Sequence, residues 1–316
     1  MNKIIIPILL SAVFLFSSCD KNQIRGGTDG ATFGNIKIAV DETLAPIIDS
    51  QLMVFHATYK DAHITPIIGS EAEAINLLLR DSVRSAIVTR DLTQKERDAF
   101  ASQGYHHVRA LHIATDGVAV IVNPNNRDTA MTYEQLRDIT MGKISDWSQV
   151  NGKHSGKIQI VFDNPNSSTV RFVQDTLNKG AELPKDRVFA TKTNAEVIEH
   201  VAKTPNAIGF IGINWISDQE DETHLSFLRK INTVGITAEQ GHTGYAVHWY
   251  PFQADIARKY YPLRRNVYSI CREARMGLGS GFAAFLASER GQRIVLKAGL
   301  VPATAPLRIV STKNNK

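Results

Sequence analysis

Four consecutive short polar side chains are the strongest candidates for chemistry in this sequence. They are Asn166, Ser167, Ser168 and Thr169, and they lie between an apolar run, IQIVF, and a segment with helical spacing, VRFVQDTL. One such side chain is enough to cap a helix, so a row of them exceeds what capping requires. The free N–H groups and the positive dipole end of a first helical turn attract anions, and hydroxyl and amide groups would add donors. The junction therefore predicts an anion-binding site.

Two other predicted strand-to-helix junctions carry a hydroxyl side chain, at Thr43 and at Ser70. Capping alone explains Ser70 well, because Glu73 follows it at the spacing of a capping box. Thr93 and Glu96 have the same spacing ahead of another predicted helix. A hydroxyl at these junctions is thus compatible with a cap as well as with a ligand.

Catalytic and cofactor motifs are weak in this sequence. Ser167 and Ser168 lack the GxSxG pattern of a nucleophile elbow, so a hydrolase that uses either serine is only our third hypothesis. The sequence contains no HExxH or CxxC pattern, and we expect no metal site. The glycines of GLGSGF do not have the GxGxxG spacing of a dinucleotide loop, and we expect no cofactor. A binding protein without catalytic residues is the favoured interpretation.

The N-terminus predicts export from the cytoplasm. Residues 1–18 combine Lys3, a long apolar run and two serines, as in a signal peptide. Cys19 follows directly, a placement that resembles the lipobox of bacterial lipoproteins, so we expect a lipoprotein signal peptide and a lipid anchor on Cys19. The alternative is an ordinary signal peptide with an incidental cysteine. Residues 19–34 are polar and Gly-rich and predict a flexible tether.

Charge and cysteine content limit the other function classes. The chain has 36 Lys and Arg residues against 31 Asp and Glu residues, a formal charge of +5, without a basic block. This mild excess favours anionic ligands weakly and gives no reason to expect a nucleic-acid partner. No segment after the signal has the roughly 18 to 20 apolar residues that a membrane span needs, so we expect the remainder to be soluble and tethered. Apart from Cys19 the sequence has only Cys271, which we expect to be buried and unpaired.

Predicted strands and helices alternate along the chain. The runs NIKIAV, HITPII and SAIVT each precede a segment with helical spacing. This alternation predicts an α/β fold with parallel strands and helices on both sheet faces, in which ligands bind at the carboxyl ends of strands. After Leu111 a long apolar stretch leads into a second set of such elements, and YPLRRNVYSICRE is a second long extended segment. Two lobes joined by two crossings, with the first lobe built from both ends of the chain, fit this order.

Several segments resemble phosphate-binding proteins of ABC transporters in order and spacing. They are ATDGVAVIVNPNN, YEQLRDITMGKISDWSQVNG, the polar junction, AIGFIGINW, YPLRRNVYSI and GFAAFLASERGQRIVLKAGLVP, and the resemblance covers nearly all of residues 36–304. It implies a type II periplasmic-binding-protein fold, in which two doubly wound α/β lobes are joined by a two-strand hinge and close around an oxyanion. We expect residues 35–113 with 266–316 to form lobe 1, and residues 114–265 to form lobe 2.

The same resemblance implies which residues bind the ligand. Three loops of lobe 1 match the family's anion loops, and the polar junction of lobe 2 matches the S-G-T-T part of the family's R-S-D-G-S-G-T-T motif. The implied ligand-binding residues are Thr43, Leu44, Ser70, Thr89, Arg90, Asp91, Asn166, Ser167, Ser168 and Thr169.

The sequence departs from the family pattern at charged positions. Phe162 stands where the family has its ligand-binding arginine, and Glu42 and Glu71 add negative charge to the first two loops. Arg90 is our candidate to replace the arginine from the opposite lobe, and the alternative is that Arg171 folds back, although its position two residues past Thr169 favours an outward direction. The two glutamates either satisfy helix dipoles or face the cleft, where they would weaken phosphate binding.

A site that selects phosphate over sulfate also needs an acceptor for the ligand's proton. Asp91 is our first candidate for that carboxylate and Asp41 the second. The leading hypothesis is a monomeric, lipid-anchored solute-binding protein on the periplasmic or surface side of the envelope, which passes phosphate or a related oxyanion to an ABC permease. The rival hypothesis is a sensor or surface protein with the same fold and an altered or decayed anion site.

Overall fold

A computed structural model describes residues 29–238 and 247–306. The predicted signal peptide, Cys19 and residues 20–28 of the predicted tether lie outside the described residues. The strands are β1 (Gly34–Asp41), β2 (Ala62–Gly69), β3 (Ser85–Val88), β4 (Arg109–Val122), β5 (Ala130–Met131), β6 (Gln159–Phe162), β7 (Val188–Ala190), β8 (Ala207–Gly212), β9 (Asn232–Thr233), β10 (Gly235–Thr237), β11 (His248–Trp249), β12 (Arg264–Cys271) and β13 (Val301–Pro302). The helices are α1 (Ala45–Thr58), α2 (Glu71–Leu79), α3 (Gln94–Ser102), α4 (Tyr133–Thr140), α5 (Ser168–Phe172), α6 (Asn194–Lys203), α7 (Glu222–Leu228), α8 (Gln253–Ala257), α9 (Leu278–Ala287) and α10 (Glu289–Lys297).

Among these strands, ten form one continuous sheet with the central order β2-β1-β3-β12-β4-β8-β6-β7. The strands β1, β2 and β3 are parallel to each other and form what we call the first half of the sheet. The strands β6, β7 and β8 are also parallel and form the second half. Each parallel set follows from the alternation of strands and helices. A crossover helix returns the chain to the end of the sheet where the previous strand began, so the next strand runs parallel to it. The predicted α/β fold class is confirmed.

The two halves are joined by β4 and β12. Residues 109–117 of β4 pair antiparallel with β12, and residues 118–122 continue into the second half, where they pair with β8. These two long strands correspond to the two extended segments that the sequence analysis singled out. The lobe boundaries at residues 113/114 and 265/266 stay predictions.

Local sequence signals account for most helix starts. Ser70 and Glu73 form a complete capping box at the start of α2, and Thr93 and Glu96 form one at the start of α3, as predicted. The last predicted helix is instead two helices, α9 and α10, because Ser288 ends the first and caps the second.

The packed part of the chain begins earlier than the sequence indicated. Asp29, within the predicted tether, is buried and accepts hydrogen bonds from Arg275 and from the Leu278 N–H. Cys271 is buried and unpaired among the described residues, as expected. In those residues, no helix combines the length and the apolar character that crossing a membrane would require.

Candidate anion-binding site

The end of β1 supplies the first polar group of the site. Asp41 caps the short 3-10 turn that leads into α1, and its Oδ1 accepts bonds from the Thr43 N–H at 3.2 Å and from Thr43 Oγ1 at 2.9 Å. Both residues are fully buried. Thr43 therefore lies between the end of a parallel strand and the start of a helix, which is where α/β proteins bind ligands.

The polar junction of the second half meets Thr43 directly. Ser168, the first residue of α5, has its Oγ 3.0 Å from Thr43 Oγ1, although the two residues are 125 positions apart. Because Thr43 donates its single hydroxyl proton to Asp41, Ser168 is the donor in this contact. The structure thus brings together two of the predicted ligand-binding residues, one from each half.

An arginine that the sequence analysis did not select completes this contact. Arg265 on β12 donates from Nη1 to Ser168 Oγ at 2.8 Å and from Nε to Asp116 Oδ2 on β4 at 3.0 Å. Its side chain is only 2% exposed. Burial raises the pKa of Asp116, and the charge of Arg265 opposes that rise. The positive charge at the site therefore comes from a strand that joins the two halves, since Phe162 is buried and stacks on Phe210.

The rest of the polar junction is turned into its own half. Ser167 caps α5, and its Oγ lies 2.8 Å from Thr169 Oγ1, which donates to Asp163 Oδ1 at 2.6 Å. Asn166 is exposed, and its N–H bonds to Asn164 Oδ1. Of the four polar side chains, Ser168 is the one whose hydrogen bonds reach the first half among the described residues.

Asn194 connects two carboxylates from opposite halves. Its Nδ2 donates to Glu42 Oε2 at 2.6 Å and lies 3.3 Å from Asp163 Oδ2. Its backbone N–H, at the start of α6, also donates to Glu42. Burial, together with the nearby charges of Asp163 and Asp41, raises the pKa of Glu42 to about 8. Glu42 therefore faces the region between the halves.

Glu71 is the centre of a second polar group between the halves. Its Oε1 accepts bonds from the Thr89 N–H at 2.9 Å and from Thr89 Oγ1 at 2.8 Å, and Arg171 Nε lies 2.5 Å from Oε2. Arg171 Nη2 also donates to Thr89 Oγ1 at 2.9 Å. The expectation that Arg171 points outward was wrong, because its long side chain reaches from α5 across to the first half.

Four predicted residues lie outside the cluster: three have other hydrogen-bond partners and one is in the core. Ser70 is bonded within its capping box, as a cap would be. Arg90 makes a two-point ion pair with Glu96 and approaches Glu71 only to 3.7 Å. Asp91 is exposed and bonded to Arg97, so the structure does not bring this first-choice proton acceptor into the cluster. Leu44 is fully buried in the core at the start of α1.

Carboxylates outnumber cations in this buried region. Five acidic side chains are buried here: Asp41, Glu42, Glu71, Asp116 and Asp163. Burial and the charge of Glu71 together raise the pKa of Asp41 to about 7, against the opposing charge of Arg265. No group of three or more His, Cys, Asp or Glu side chains in the described ranges could hold a metal ion.

Sequence reasoning missed Arg265, Asp163 and Asn194 as site residues. For Asp116 a signal was present, because it is a charged residue inside a long, mostly apolar segment, and Arg265 lies in the other long extended segment. Such residues are almost never fully buried unless they are paired. A search for oppositely charged residues in the two crossing segments would have suggested this pair.

Comparisons with known proteins agree with this architecture. A family model described as the PBP superfamily domain matches residues 26–290. The phosphate-binding protein PstS of Borreliella burgdorferi is 25% identical over 309 residues, which cover 95% of this chain and 99% of the relative. PstS of Bacillus subtilis is 24% identical, with 100% of this chain and 98% of the relative covered.

Solved structures show the same fold at low sequence identity. An ABC-type phosphate transport receptor from Vibrio cholerae superposes with a TM-score of 0.62 at 21% identity, covering 85% of this chain and all of the receptor. A Clostridium perfringens protein described as a phosphate ABC transporter substrate-binding protein, with bound phosphate, gives a TM-score of 0.68 at 22% identity over 84% of this chain and 99% of its own. The predicted type II periplasmic-binding-protein fold is therefore confirmed, and the chain belongs to the PBP superfamily.

Proposed function

We propose that this protein is an extracytoplasmic solute-binding protein that captures phosphate or a related oxyanion between its two halves for ABC-type uptake. The observation that carries the proposal is the convergence of Thr43, Ser168 and Arg265 at one buried point. Two hydroxyl groups and a guanidinium are donors that suit a tetrahedral oxyanion. The names of the B. burgdorferi and B. subtilis relatives support phosphate as the solute.

Entry of the solute requires the halves to separate. In the closed arrangement the hydroxyl groups of Thr43 and Ser168 bond to each other, so an anion reaches them only after this contact opens. The paired strands β4 and β12 are the natural hinge, since they alone run between the two parallel sets in the described sheet. We assign the first set to lobe 1 and the second set to lobe 2.

Asp41 is the proton acceptor that we now favour over Asp91. Its Oδ2 is buried and has no hydrogen bond of normal geometry from the described residues, although the Ser168 hydroxyl is near enough to lower the pKa of the carboxyl group, while Oδ1 is bonded to Thr43. A proton-bearing oxyanion at Thr43 would supply the missing donor. Sulfate, which carries no proton at neutral pH, would not.

The remaining parts of the proposal come from the sequence. Cys19 would carry a lipid anchor on the periplasmic or surface side of the membrane, the tether would present a monomeric binding protein, and an ABC permease would receive the solute. We assign no catalytic role to Ser167 or Ser168, because both hydroxyls contact other oxygen atoms and no histidine pairs with them among the described residues.

A second candidate function is a sensor or surface protein with an altered anion site. The observation that favours it is the excess of buried carboxylates together with Phe162 in the core where the family has an arginine. Such a protein would keep the fold and lose affinity for inorganic phosphate.

A thermal unfolding screen separates these functions. The purified lipid-free chain is heated with phosphate, sulfate, molybdate and small carboxylates, each in a phosphate-free buffer. A solute at 100 times its dissociation constant should add roughly 2.7 kcal/mol of stability. A higher melting temperature with phosphate and an unchanged one with sulfate support the uptake of phosphate. An unchanged melting temperature with every anion supports the sensor or surface protein. Hydrolysis of a phosphate ester would instead indicate an enzyme.

A further inference from the structure

The Glu71 carboxylate is bound as a separate anion would be. Its partners are a backbone N–H and a hydroxyl from Thr89, at the end of β3, and the guanidinium of Arg171 from the opposite half. A backbone amide, a hydroxyl and an arginine form a donor set for oxyanions. The Glu71 side chain is 3% exposed, so its charge is almost completely enclosed by these donors.

Helix capping does not explain these contacts. Glu71 is the first residue of α2. At this position the negative charge of a glutamate could interact favourably with the positive end of the helix dipole. Ser70 and Glu73 already form the capping box there, which satisfies the N–H groups of these two residues. The Glu71 carboxylate turns instead to Thr89 and Arg171, which lie 18 and 100 positions away.

The electrostatics agree with an ionised carboxylate. Burial on its own would raise the pKa of Glu71, but the charge of Arg171 and the bonds from Arg171 and Thr89 outweigh it and lower the pKa. The same negative charge helps to raise the pKa of Asp41, and Arg171 lies on the same short helix, α5, as Ser168, so this donor set is close to the contact between Thr43 and Ser168.

We propose that the Glu71 carboxylate takes the place of a solute oxyanion on Thr89 and Arg171, so that the unliganded cleft is closed by an internal anion that the solute must displace. This inference rests on the proposed function. It assigns Thr89 and Arg171 as an oxyanion subsite and Glu71 as the residue that sets the affinity of the cleft. Exchange of one anion for another keeps Arg171 paired throughout, which makes displacement feasible for a solute with at least one negative charge.

Glu71→Gln and Glu71→Ser test this arrangement. Both remove the internal anion, and the serine variant also offers a new hydroxyl donor. Asp175→Asn is the matched control, because Asp175 also lies near Arg171, at 3.6 Å, but does not contact Thr89 and is 61% exposed. Thermal unfolding first establishes that each variant is folded.

Two measurements are made on each variant. Small-angle scattering in phosphate-free buffer gives the radius of gyration, and calorimetric titration with inorganic phosphate gives the dissociation constant. We expect both Glu71 variants to have a larger radius of gyration than the wild type without phosphate and to contract when phosphate is added. Their dissociation constant for phosphate should be about tenfold lower than that of the wild type. Asp175→Asn should match the wild type in both measurements.

The outcomes separate this inference from the proposed function. Unchanged or weaker phosphate binding by both Glu71 variants, beside a wild type that binds phosphate, overturns the internal-anion proposal. The same tightening in Asp175→Asn also overturns it, because a general loss of negative charge would then explain the effect. Expansion of the Glu71 variants with no phosphate binding by any form supports internal closure by Glu71 and overturns the proposed function.

Discussion

Arg265 donates to Asp116 at 3.0 Å in the middle of the sheet, where their side chains are 2% and 0% exposed. The two residues lie on β12 and β4, the strands that join the halves, so the pair fixes a cation at the point where the halves meet. Nη1 of Arg265 donates to Ser168, which places the guanidinium beside the proposed solute. We therefore expect both stability and solute binding to depend on this pair, and variants can separate the two.

We predict that Asp116→Ala lowers the free energy of unfolding by about 3 to 5 kcal/mol, because it leaves a buried guanidinium without its carboxylate. The double variant Arg265→Met with Asp116→Leu should recover most of that loss, since an apolar pair of similar volume often replaces a buried ion pair at little cost. The double variant should nevertheless bind no phosphate. Urea denaturation and calorimetry measure the two quantities, and wild-type phosphate affinity in the double variant would remove Arg265 from the site.

We predict that the Thr43 hydroxyl contributes more to solute affinity than to the stability of the fold. Thr43→Val keeps the shape and removes one donor, and the lost bonds to Asp41 and Ser168 should lower stability by about 1 kcal/mol. Phosphate binding should fall at least about tenfold, since one donor to a charged group contributes roughly 1.5 to 3 kcal/mol. Thr140→Val is the matched control, because Thr140 is equally buried and bonded to Asn178 within the second half. Equal binding by both variants would contradict the role of Thr43.

Gly212 allows the two halves to approach closely. A Cβ at this position would lie 2.7 Å from Thr43 Cγ2 and 3.1 Å from the Thr43 carbonyl oxygen. We predict that Gly212→Ala folds but closes poorly, and that its dissociation constant for phosphate rises. In the control Gly209→Ala the new methyl group meets Val201, Val197 and Ile121 within the second half, so stability should fall without a selective loss of binding. Scattering with and without phosphate reports closure directly, and full contraction of Gly212→Ala would show that this contact is dispensable.

Much of the fold could be predicted because its signals are local. Apolar runs of strand length and capping boxes such as Ser70 with Glu73 depend on residues a few positions apart. Thr43 and Ser168, which we predicted for one site, lie together in the structure, since both follow the carboxyl ends of parallel strands. Their role in ligand binding stays a prediction.

The cations of the site could not be predicted in the same way. Arg265 meets Ser168 across 97 positions and Asp116 across 149, and that contact exists only once β12 is paired with β4. The prediction for Arg171 was wrong because its position relative to Thr169 indicates only the direction of its Cβ. A long side chain can still turn back from that direction. Its guanidinium extends from α5 to Glu71, 100 positions away, in the other half of the sheet.

Glu42 should make the stability of the solute-free protein decrease as the pH rises. Burial raises the pKa of Glu42 to about 8, from 4.5, and that of Asp41 to about 7, from 3.8. Between these values the folded state holds protons that the unfolded state has released, so the free energy of unfolding falls with increasing pH. Each group contributes at most about 1.4 kcal/mol per pH unit within its window.

Urea denaturation at pH values from about 5 to 9 in phosphate-free buffer measures this slope. The loss should already be under way at pH 5, be steepest up to about pH 7, and end above about pH 8, when both carboxyl groups are ionised in both states. Glu42→Gln removes one of the two protons and should make the slope clearly shallower, with the greatest relative stabilisation at the alkaline end. Glu134→Gln, at an exposed position on α4, should leave the slope as it is in the wild type. Stability that is constant or increases between pH 5 and 8 would show that Glu42 and Asp41 are ionised in the closed cleft, in which case Asp41 binds the solute as a permanent acceptor and affinity should not depend on its protonation.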